Sequence, residues 1–301
     1  SFERQGLADR ICERLGFAKT APDLTAWRQM VDKLLHPEAE VRIAVVGKYT
    51  GLKDSYKSII EAFIHAGVAR SVRVDLAWVP AEDVAADGAA VHLGKVDGLL
   101  IPGGFGERGT EGKIAAVRFA RENRLPYLGI CLGLQIGIVE FARSIMGLTK
   151  ANSTEFDPDS PDPVIALLSE QEGVEDLGGT MRLGSYPCHL KQDTIAHRLY
   201  DSDVIHERHR HRYEVNNNYR ARLEGAGMVF SGLSPDGSLV EIVELADHPF
   251  FVGVQFHPEL KSRPERAHPL FLGLVSAAIA HAGADPERKS SSSSVQQRKE
   301  A

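Results

Sequence analysis

The sequence predicts an α/β fold with an open, mostly parallel central sheet flanked by helices and a smaller antiparallel β portion. Three observations lead to this prediction. In the first half, apolar runs rich in β-branched residues alternate with segments of helical periodicity. Two of these runs, ending near residues 101 and 130, lead directly into glycine-containing turns. After about residue 150, the apolar segments become shorter and are separated by turn residues.

The first half begins with two short helices within residues 1–40, which have the character of a connector rather than of a core. Four strands and three helices then alternate. The strands are predicted at 41–49, 72–79, 96–106, where the strand runs into a glycine turn, and 125–130, and the helices at 53–67, 112–124 and 132–146. In such a sheet, a ligand site is expected at the carboxyl ends of the strands.

The second half is predicted to contain shorter elements. Residues 153–164 are polar and proline-rich and predict a loop, and residues 178–190 and 227–245 predict short strands with turns. A buried strand is predicted at 250–256 and a closing helix at 268–283. The division is therefore a helical linker over 1–40, a folded domain over 41–283 and a disordered, serine-rich tail over 284–301.

Composition narrows the class of protein. The chain has 301 residues, of which 43% are hydrophobic, and a formal net charge of −6, which does not favour nucleic acid as a partner. No apolar run approaches the roughly 20 residues that cross a bilayer, and the amino terminus lacks the apolar stretch of a signal peptide. Three cysteines fit a reducing compartment, so we expect a cytoplasmic protein without a membrane partner.

The first candidate for chemistry is Cys131, which lies between Gly129 and Gly133 where a predicted strand turns into a predicted helix. Glycines permit such a tight turn, and serine nucleophiles occupy the same kind of elbow. The positive end of the helix dipole favours a thiolate. The alternative is that Cys131 is a small buried hydrophobic residue, and this pattern alone leaves both open.

Two further segments have the residue types that a cysteine nucleophile needs. "PGGFG" at 102–106 follows a strand, and Gly104 is the best-placed backbone donor for an oxyanion, although a plain glycine turn is the alternative. "QFHPE" at 255–259 offers His257 as a base and Glu259 as the group that orients it. A lone histidine before a proline is more often structural, but here it ends a predicted strand.

The three segments together resemble the class I (triad-type) glutamine amidotransferases, in which they occur in this order, and imply that family's flavodoxin-like sheet. Further segments resemble the C-terminal glutaminase half of CTP synthases. They are "AVVGKYTGLKDSYKSIIEA", "IPGGFGERGTEGKI", "NSTEFDP", "GGTMRLG", "ERHRHRYEVN" and "GVQFHPELKSRP". The resemblance extends to about residue 282, and it identifies the leading helices with the interdomain linker and residues 41–283 with the glutamine amidotransferase domain.

The resemblance implies a Cys-His-Glu triad. Cys131 would be the nucleophile, His257 the general base and acid, and Glu259 the orienting carboxylate. The implied oxyanion hole consists of Gly104 and Leu132, and the implied glutamine-binding residues are Gly104, Phe105, Gln135, Glu155 and Arg212. An arginine suits the α-carboxylate of glutamine and a carboxylate suits its ammonium group.

The resemblance also implies partners beyond L-glutamine. The synthetase (amidoligase) half is not in this sequence, which contains no G-x-x-x-x-G-K-[ST] loop, and ATP and Mg²⁺ would belong to that half. No cofactor is expected in this chain, although 106–113 resembles a loop that responds to GTP, an allosteric activator. Lys48, Tyr49 and Lys57 would face the synthetase half. A homotetramer is expected only of the full-length enzyme.

Two other functions stay open from the sequence. One is a different triad-type glutaminase or a γ-glutamyl hydrolase on the same fold, and the other is an assembly module without catalysis. The histidines of 206–213 lack the accompanying ligands of a metal site, so no metal is expected there. Cys12 and Cys188 are expected to be inert.

Overall fold

The computed structural model describes residue 2, residues 4–167 and residues 181–284. Twelve strands lie within these ranges. They are β1 (Ala39–Gly47), β2 (Val72–Pro80), β3 (Gly98–Ile101), β4 (Tyr127–Ile130), β5 (Ala151–Ser153), β6 (Asp162–Leu167), β7 (Arg182–Leu190), β8 (Val204–His211), β9 (Tyr213–Val215), β10 (Met228–Leu233), β11 (Val240–Leu245) and β12 (Phe251–Val254).

Ten α-helices lie in the same part of the chain. They are α1 (Leu7–Leu15), α2 (Thr25–Leu35), α3 (Lys57–Ala69), α4 (Ala81–Asp87), α5 (Ala89–Leu93), α6 (Thr110–Glu122), α7 (Leu132–Ser144), α8 (Ile195–Tyr200), α9 (Arg220–Gly225) and α10 (Pro269–Ala284). Short 3₁₀ turns occupy Lys53–Tyr56, Asn217–Tyr219 and Pro258–Leu260. No helix of the described residues is long and apolar enough to span a membrane.

Nine strands form one mixed sheet, in the order β2-β1-β3-β4-β12-β11-β10-β7-β8. The first five run parallel to one another, and the last four continue the sheet in antiparallel fashion. Strands β5, β6 and β9 form a separate small sheet. The predicted fold class is confirmed, and most of its antiparallel portion is continuous with the parallel core.

Alternating side chains of β1 divide the interior into two buried clusters. Ala44 and Val46 belong to the cluster that includes apolar residues of α6 and α7. Ile43 and Val45 belong to the other cluster, which α3 and α10 complete and in which Phe63 meets Phe271 edge-to-face at 5.0 Å. This two-sided burial explains why β1 reads as an uninterrupted apolar run, as strands of parallel sheets do.

Several boundaries differ from the sequence predictions. The helix predicted at 53–67 begins as a 3₁₀ turn and runs past Gly67 to Ala69, and α4 and α5 occupy a stretch for which no element was predicted. The loop predicted at 153–164 is shorter, because β6 begins at Asp162. Segment 206–213 lies largely in β8. The predicted strand residues 178–180 and the predicted tail beyond residue 284 lie outside the described residues.

The connection from β4 to α7 is so tight that only glycine fits at two positions. A Cβ on Gly133 would lie 2.4 Å from the carbonyl oxygen of Ile101, and a Cβ on Gly129 would lie 2.7 Å from the carbonyl carbon of Gly133. Both neighbours are backbone atoms, which cannot rotate away. The glycines therefore let the start of α7 lie directly against β3 and β4.

This close approach predicts that alanine destabilises the protein more at Gly133 than at Gly137, although both glycines lie in α7. We expect Gly133→Ala to lower the free energy of unfolding by about 1–3 kcal/mol, since the new methyl group meets the Ile101 carbonyl. Gly137→Ala is the control: its Cβ would make only ordinary contact, 3.6 Å from the Tyr127 hydroxyl, and alanine favours the helix. Urea denaturation measures both, and equal effects of the two substitutions would contradict this account.

Candidate active site

Three neighbouring parallel strands bring the predicted catalytic segments together. Strand β4 lies between β3 and β12 in the sheet. The glycine turn 102–106 follows β3, Cys131 follows β4, and the segment 255–259 follows β12. Because the strands are parallel, all three segments leave the sheet at the same edge. The three predicted segments therefore meet at the carboxyl ends of the strands.

Cys131 occupies the turn between β4 and α7 in an unusual backbone conformation. Its φ is 52° and its ψ is −101°, which is rare for a residue with a side chain. The Cys131 amide donates to the carbonyl of Val254 at 2.6 Å and ties the turn to β12. Backbone strain of this kind clusters at active sites, and the serine nucleophiles of hydrolases occupy similar elbows.

The thiol of Cys131 is buried but not enclosed by apolar groups. Its Sγ lies 3.9 Å from the carbonyl oxygen of Arg210 and 3.7 Å from the side-chain nitrogen of Gln255. A Cβ placed on Gly103 would lie 3.6 Å from Cys131 Cβ and 2.8 Å from His257 Cε1. The glycine turn therefore lies against the Cys131 Cβ atom and the His257 imidazole.

His257 and Glu259 form the hydrogen-bonded pair that their spacing predicts. His257 Nδ1 lies 2.8 Å from Glu259 Oε1, and the His257 amide donates to the Arg208 carbonyl at 2.8 Å. Burial alone would lower the pKa of His257, but its interactions with Cys131 and Glu259 outweigh burial and raise that pKa to about 10. These interactions therefore stabilise a proton on the imidazole, including one that it receives from Cys131.

The glycine turn lies against the start of α7. A Cβ on Gly104 would lie 3.4 Å from Leu132 Cδ2, so these two residues are neighbours. Leu132 is the first residue of α7, where an amide has no partner within the helix. The two residues predicted to form the oxyanion hole therefore lie side by side, next to Cys131.

Glu155 lies near the same turn, as the resemblance implied. Its Oε1 accepts a hydrogen bond from the Gly106 amide at 2.6 Å. Burial raises the pKa of the Glu155 carboxyl, and the Gly106 hydrogen bond and the positive charges of Lys48, Arg212 and Lys113 partly oppose that rise. Arg212 is therefore close enough to Glu155 for their charges to interact. Lys48 donates to the carbonyls of Phe105 and Gly106 and braces the turn.

Two other predicted glutamine-binding residues, Gln135 and Phe105, differ in their exposure to solvent. Phe105 is exposed. Gln135 is 3% exposed, and its Nε2 donates to the Tyr213 carbonyl at 3.0 Å and to Gln255 Oε1 at 3.3 Å. Both amide hydrogens of Gln135 are thus used inside the protein, and its Oε1 is the atom left for other contacts.

A cavity of about 270 Å³ opens beside Cys131. The predicted triad residues line it together with Gly103, Gly104 and Phe105 of the turn, and the 3₁₀ turn and α3 contribute Tyr56 and Ile59. The predicted residues Gln135, Glu155 and Arg212 do not line this cavity. The structure therefore brings the triad and the glycine turn into one cleft and places the other three residues behind or beside it.

Sequence reasoning missed two buried polar residues near the site. Gln255 was part of the quoted "QFHPE" segment, and its position two residues before His257 could have indicated that both side chains share one side of an extended segment. Lys113 in α6 is only 2% exposed; burial and then the charge of Lys48 lower its pKa to about 7. No sequence signal separated Lys113 from a surface lysine.

Two of the three histidines of 206–213 are packed inside the protein. His209 and His211 are buried with their rings 2.9 Å apart (Nδ1 to Nε2), and burial followed by the Arg182 charge lowers both of their pKa values. Within the described ranges, no group of three or more histidine, cysteine or acidic side chains has a metal-binding arrangement. Cys188 is buried, which raises the pKa of its thiol.

Comparison with known proteins agrees with this geometry. Residues 51–277 match the family Glutamine amidotransferase class-I. The chain is 53% identical over 278 residues to the CTP synthase of Carboxydothermus hydrogenoformans, covering 92% of this chain and 52% of the relative. It is 56% identical over 283 residues to the CTP synthase of Rubrobacter xylanophilus, covering 94% of this chain and 51% of the relative. The chain thus spans about half the length of these relatives.

A solved structure extends the comparison to three dimensions. The glutaminase domain of Trypanosoma brucei CTPS, with bound acivicin, is similar with a TM-score of 0.75 and 39% identity, covering 80% of this chain and 94% of that one. The resemblance seen in the sequence is therefore confirmed. The chain belongs to the class I glutamine amidotransferases and, among them, to the glutamine amidotransferase regions of CTP synthases.

Proposed function

We propose that this chain hydrolyses L-glutamine to L-glutamate and ammonia through a thioester on Cys131. The observation that carries the proposal is the meeting of three groups at one cleft. Cys131 occupies a strained elbow, the His257–Glu259 pair is joined at 2.8 Å, and the glycine turn lies against the Cys131 side chain and the imidazole. This arrangement has the parts that nucleophilic acyl transfer requires.

In the first half of the reaction, Cys131 Sγ attacks the side-chain carbonyl carbon of glutamine. The thiol proton moves to His257 Nε2, while Glu259 holds Nδ1 and so keeps Nε2 directed at the reacting atoms. The backbone amides of Gly104 and Leu132 stabilise the oxyanion that develops. His257 then donates its proton to the departing nitrogen, ammonia leaves, and a γ-glutamyl thioester remains on Cys131.

In the second half, a water molecule attacks the thioester carbonyl. His257 takes a proton from that water, the same two amides stabilise the second oxyanion, and the carbon–sulfur bond breaks. His257 returns that proton to the departing sulfur, glutamate leaves and Cys131 is again a thiol. His257 thus acts as a base and as an acid within one cycle, and the interaction with Glu259 supports its charged form throughout.

The amino-acid end of glutamine is assigned to Arg212 and Glu155. The guanidinium would pair with the α-carboxylate and the carboxylate with the α-ammonium group, with Phe105, Gly104 and Gln135 as further contacts. Glu155 is held next to the glycine turn by its hydrogen bond to Gly106, which supports this placement. The site would then recognise the two charged ends of an amino acid and an amide between them.

The Arg212 assignment predicts a change in binding more than in chemistry. We expect Arg212→Gln to raise KM for glutamine at least about tenfold with kcat changed less, because the carboxylate is bound in both the ground and transition states. Arg208→Gln, at an exposed position in β8 shortly before Arg212, is the matched control. Steady-state kinetics of glutamate release separates KM from kcat. An unchanged KM in Arg212→Gln would contradict the assignment.

The ammonia is proposed to serve the amidoligase part of a longer CTP synthase, which would use ATP and Mg²⁺ to aminate UTP to CTP. In this proposal residues 1–40 are the linker, and 106–113 respond to GTP as an activator. Arg108 supports the assignment of GTP to this loop. Its guanidinium lies over the Tyr49 ring at 5.3 Å, and the two side chains together offer a cation and an aromatic ring to a nucleotide. A cytoplasmic location and a homotetramer of the full-length enzyme belong to the same proposal.

The experiment that tests this function measures glutamate release by the purified chain, with and without the amidoligase part of a CTP synthase and GTP. We expect slow turnover by the chain alone and faster turnover with both additions. In this proposal, contact with the amidoligase part and binding of GTP activate glutamine hydrolysis. Fast turnover that ignores both additions would favour a free-standing hydrolase. No turnover under any of these conditions would overturn the proposal and favour an assembly role.

A further inference from the structure

The buried amide of Gln255 contacts the nucleophile directly. Gln255 follows the last residue of β12 and is 0% exposed. Its Nε2 donates to Cys131 Sγ at 3.7 Å, and its backbone amide donates to the Glu241 carbonyl at 2.9 Å. The side chain therefore extends from a fixed backbone to the sulfur atom. The proposed roles of Cys131, His257 and Glu259 do not involve this contact between Gln255 and the sulfur.

The hydrogen-bond network fixes which end of the Gln255 amide faces the sulfur. The Tyr213 carbonyl can only accept, so the group of Gln135 that faces it must be the nitrogen, at 3.0 Å. The same nitrogen lies 3.3 Å from the Gln255 side chain and therefore faces its oxygen. Consequently, the NH₂ group of Gln255 is the end turned toward Cys131. One backbone carbonyl thus sets the orientation of two buried amides.

The sulfur atom also has a hydrogen-bond acceptor within reach. The Arg210 carbonyl lies 3.9 Å from Sγ and can accept the S–H proton of the neutral thiol. Once that proton has moved to His257, the Arg210 contact loses its hydrogen bond, whereas the Gln255 N–H group donates to a negative sulfur. A hydrogen bond to an ionised acceptor is about twice as strong as a neutral one. Of the two contacts, only the hydrogen bond from Gln255 becomes stronger when the sulfur carries a negative charge.

We propose that Gln255 is a catalytic hydrogen-bond donor that stabilises the Cys131 thiolate, and that Gln135 is the positioning residue that aims it. No proton leaves Gln255 in this role: the thiol proton goes to His257 Nε2, and Gln255 donates throughout. The inference rests on the proposed function, because it gives Gln255 a part in the chemistry of Cys131. It also gives Gln135 a role inside the protein that is separate from contact with glutamine.

The test follows the rate at which iodoacetamide alkylates Cys131 as a function of pH, using mass spectrometry of the Cys131 peptide. In Gln255→Met, which keeps the length of the side chain but has no donor, we expect alkylation at neutral pH to be about tenfold slower. The rates of the variant and the wild type should converge at high pH, where every thiol is ionised. This corresponds to a shift of the profile by about one pH unit.

Two further variants keep the test decisive. Gln255→Glu has the same shape and replaces the donor by an acceptor, so its profile should also move to higher pH even if Gln255→Met folds poorly. Gln135→Glu cannot donate to Gln255 Oε1 and would instead attract the Gln255 nitrogen, turning it away from the sulfur. We expect the same direction of shift there, without any change at Gln255 itself.

Val254→Ala is the matched control, since Val254 is a fully buried neighbour whose side chain has no polar atom. Its alkylation profile should match that of the wild type. An unshifted profile in both Gln255 variants, an equal shift in Val254→Ala, or a uniform slowing at all pH values would overturn the inference. If the chain releases no glutamate and yet Gln255→Met shifts the profile, only the proposed function fails.

Discussion

Replacement of Cys131 by alanine is expected to reduce glutamine hydrolysis by at least about 10⁴-fold, to the background of the assay. The substitution removes the only atom that can form the proposed thioester. The fold should remain, because alanine occupies the backbone conformation at φ 52° no less readily than cysteine and one sulfur atom is lost from the interior. Glutamate release and thermal unfolding, measured on the same preparation, check both expectations.

Cys188→Ala is the control for this prediction. Cys188 is also a buried thiol, but it lies in β7, apart from the cleft. We expect its loss to leave turnover within about twofold of the wild type, since no proposed step involves it. If Cys131→Ala kept a substantial part of the activity, or if Cys188→Ala lost as much, Cys131 would be a packing residue rather than a nucleophile.

The second large effect is expected for Glu259→Gln, with kcat lowered by about 10²- to 10⁴-fold. In this variant, the side-chain amide introduced at position 259 can donate to His257 Nδ1. The ring proton would then lie on Nε2 and prevent that atom from accepting the thiol proton. Loss of the Glu259 charge also removes one of the interactions that raise the pKa of His257 to about 10. Because the departing ammonia needs a protonated His257, the alkaline limb of the rate profile should move to lower pH.

The pH dependence of kcat in the wild type and in Glu259→Gln measures this shift. Glu265→Gln, at an exposed position shortly after the triad, is the matched control and should behave as the wild type does. An alkaline limb that stays in place while kcat falls would show that Glu259 acts only through packing. A limb that moves to higher pH would contradict the assigned sign of the Glu259–His257 interaction.

The parts of the fold that the sequence predicted well are those in which apolar periodicity is strong. Strands β1 and β4 are buried on both faces and appear as short apolar runs, and α7 follows β4 after a single residue. Strand β8 was missed for the opposite reason. It alternates as a strand should, but three of its four buried positions are Glu207, His209 and His211, which a search for apolar residues does not detect.

The polar interior around β8 is possible because charged and hydrogen-bonding groups from other elements face it. Arg182 from β7 lies 2.7 Å from Glu241 of β11, and both are largely buried. These residues are far apart in the sequence, so no local sequence pattern predicts their contact. A polar residue in a strand can be buried whenever the fold supplies its partner, and that partner is set by tertiary structure.

The candidate site was predictable to the extent that its chemistry is carried by short segments. Cys131, His257 and Glu259 were found because each ends or follows a predicted strand, and the parallel sheet brings those ends together. Gln255 and its orientation were not predictable, because they depend on the Tyr213 carbonyl and on Gln135, and Gln135 lies 120 residues before Gln255 in the chain. Adjacency in space, rather than spacing in sequence, defines that contact.

The most direct test of the central claim is to trap the covalent intermediate. The chain would be mixed with glutamine, quenched with acid within a turnover, digested and examined by mass spectrometry. The account predicts a γ-glutamyl group on the peptide that contains Cys131, absent from Cys131→Ala and lost on treatment with hydroxylamine, which cleaves thioesters. Rapid glutamate release with no such adduct, in the wild type or in a slowed variant such as Glu259→Gln, would contradict it.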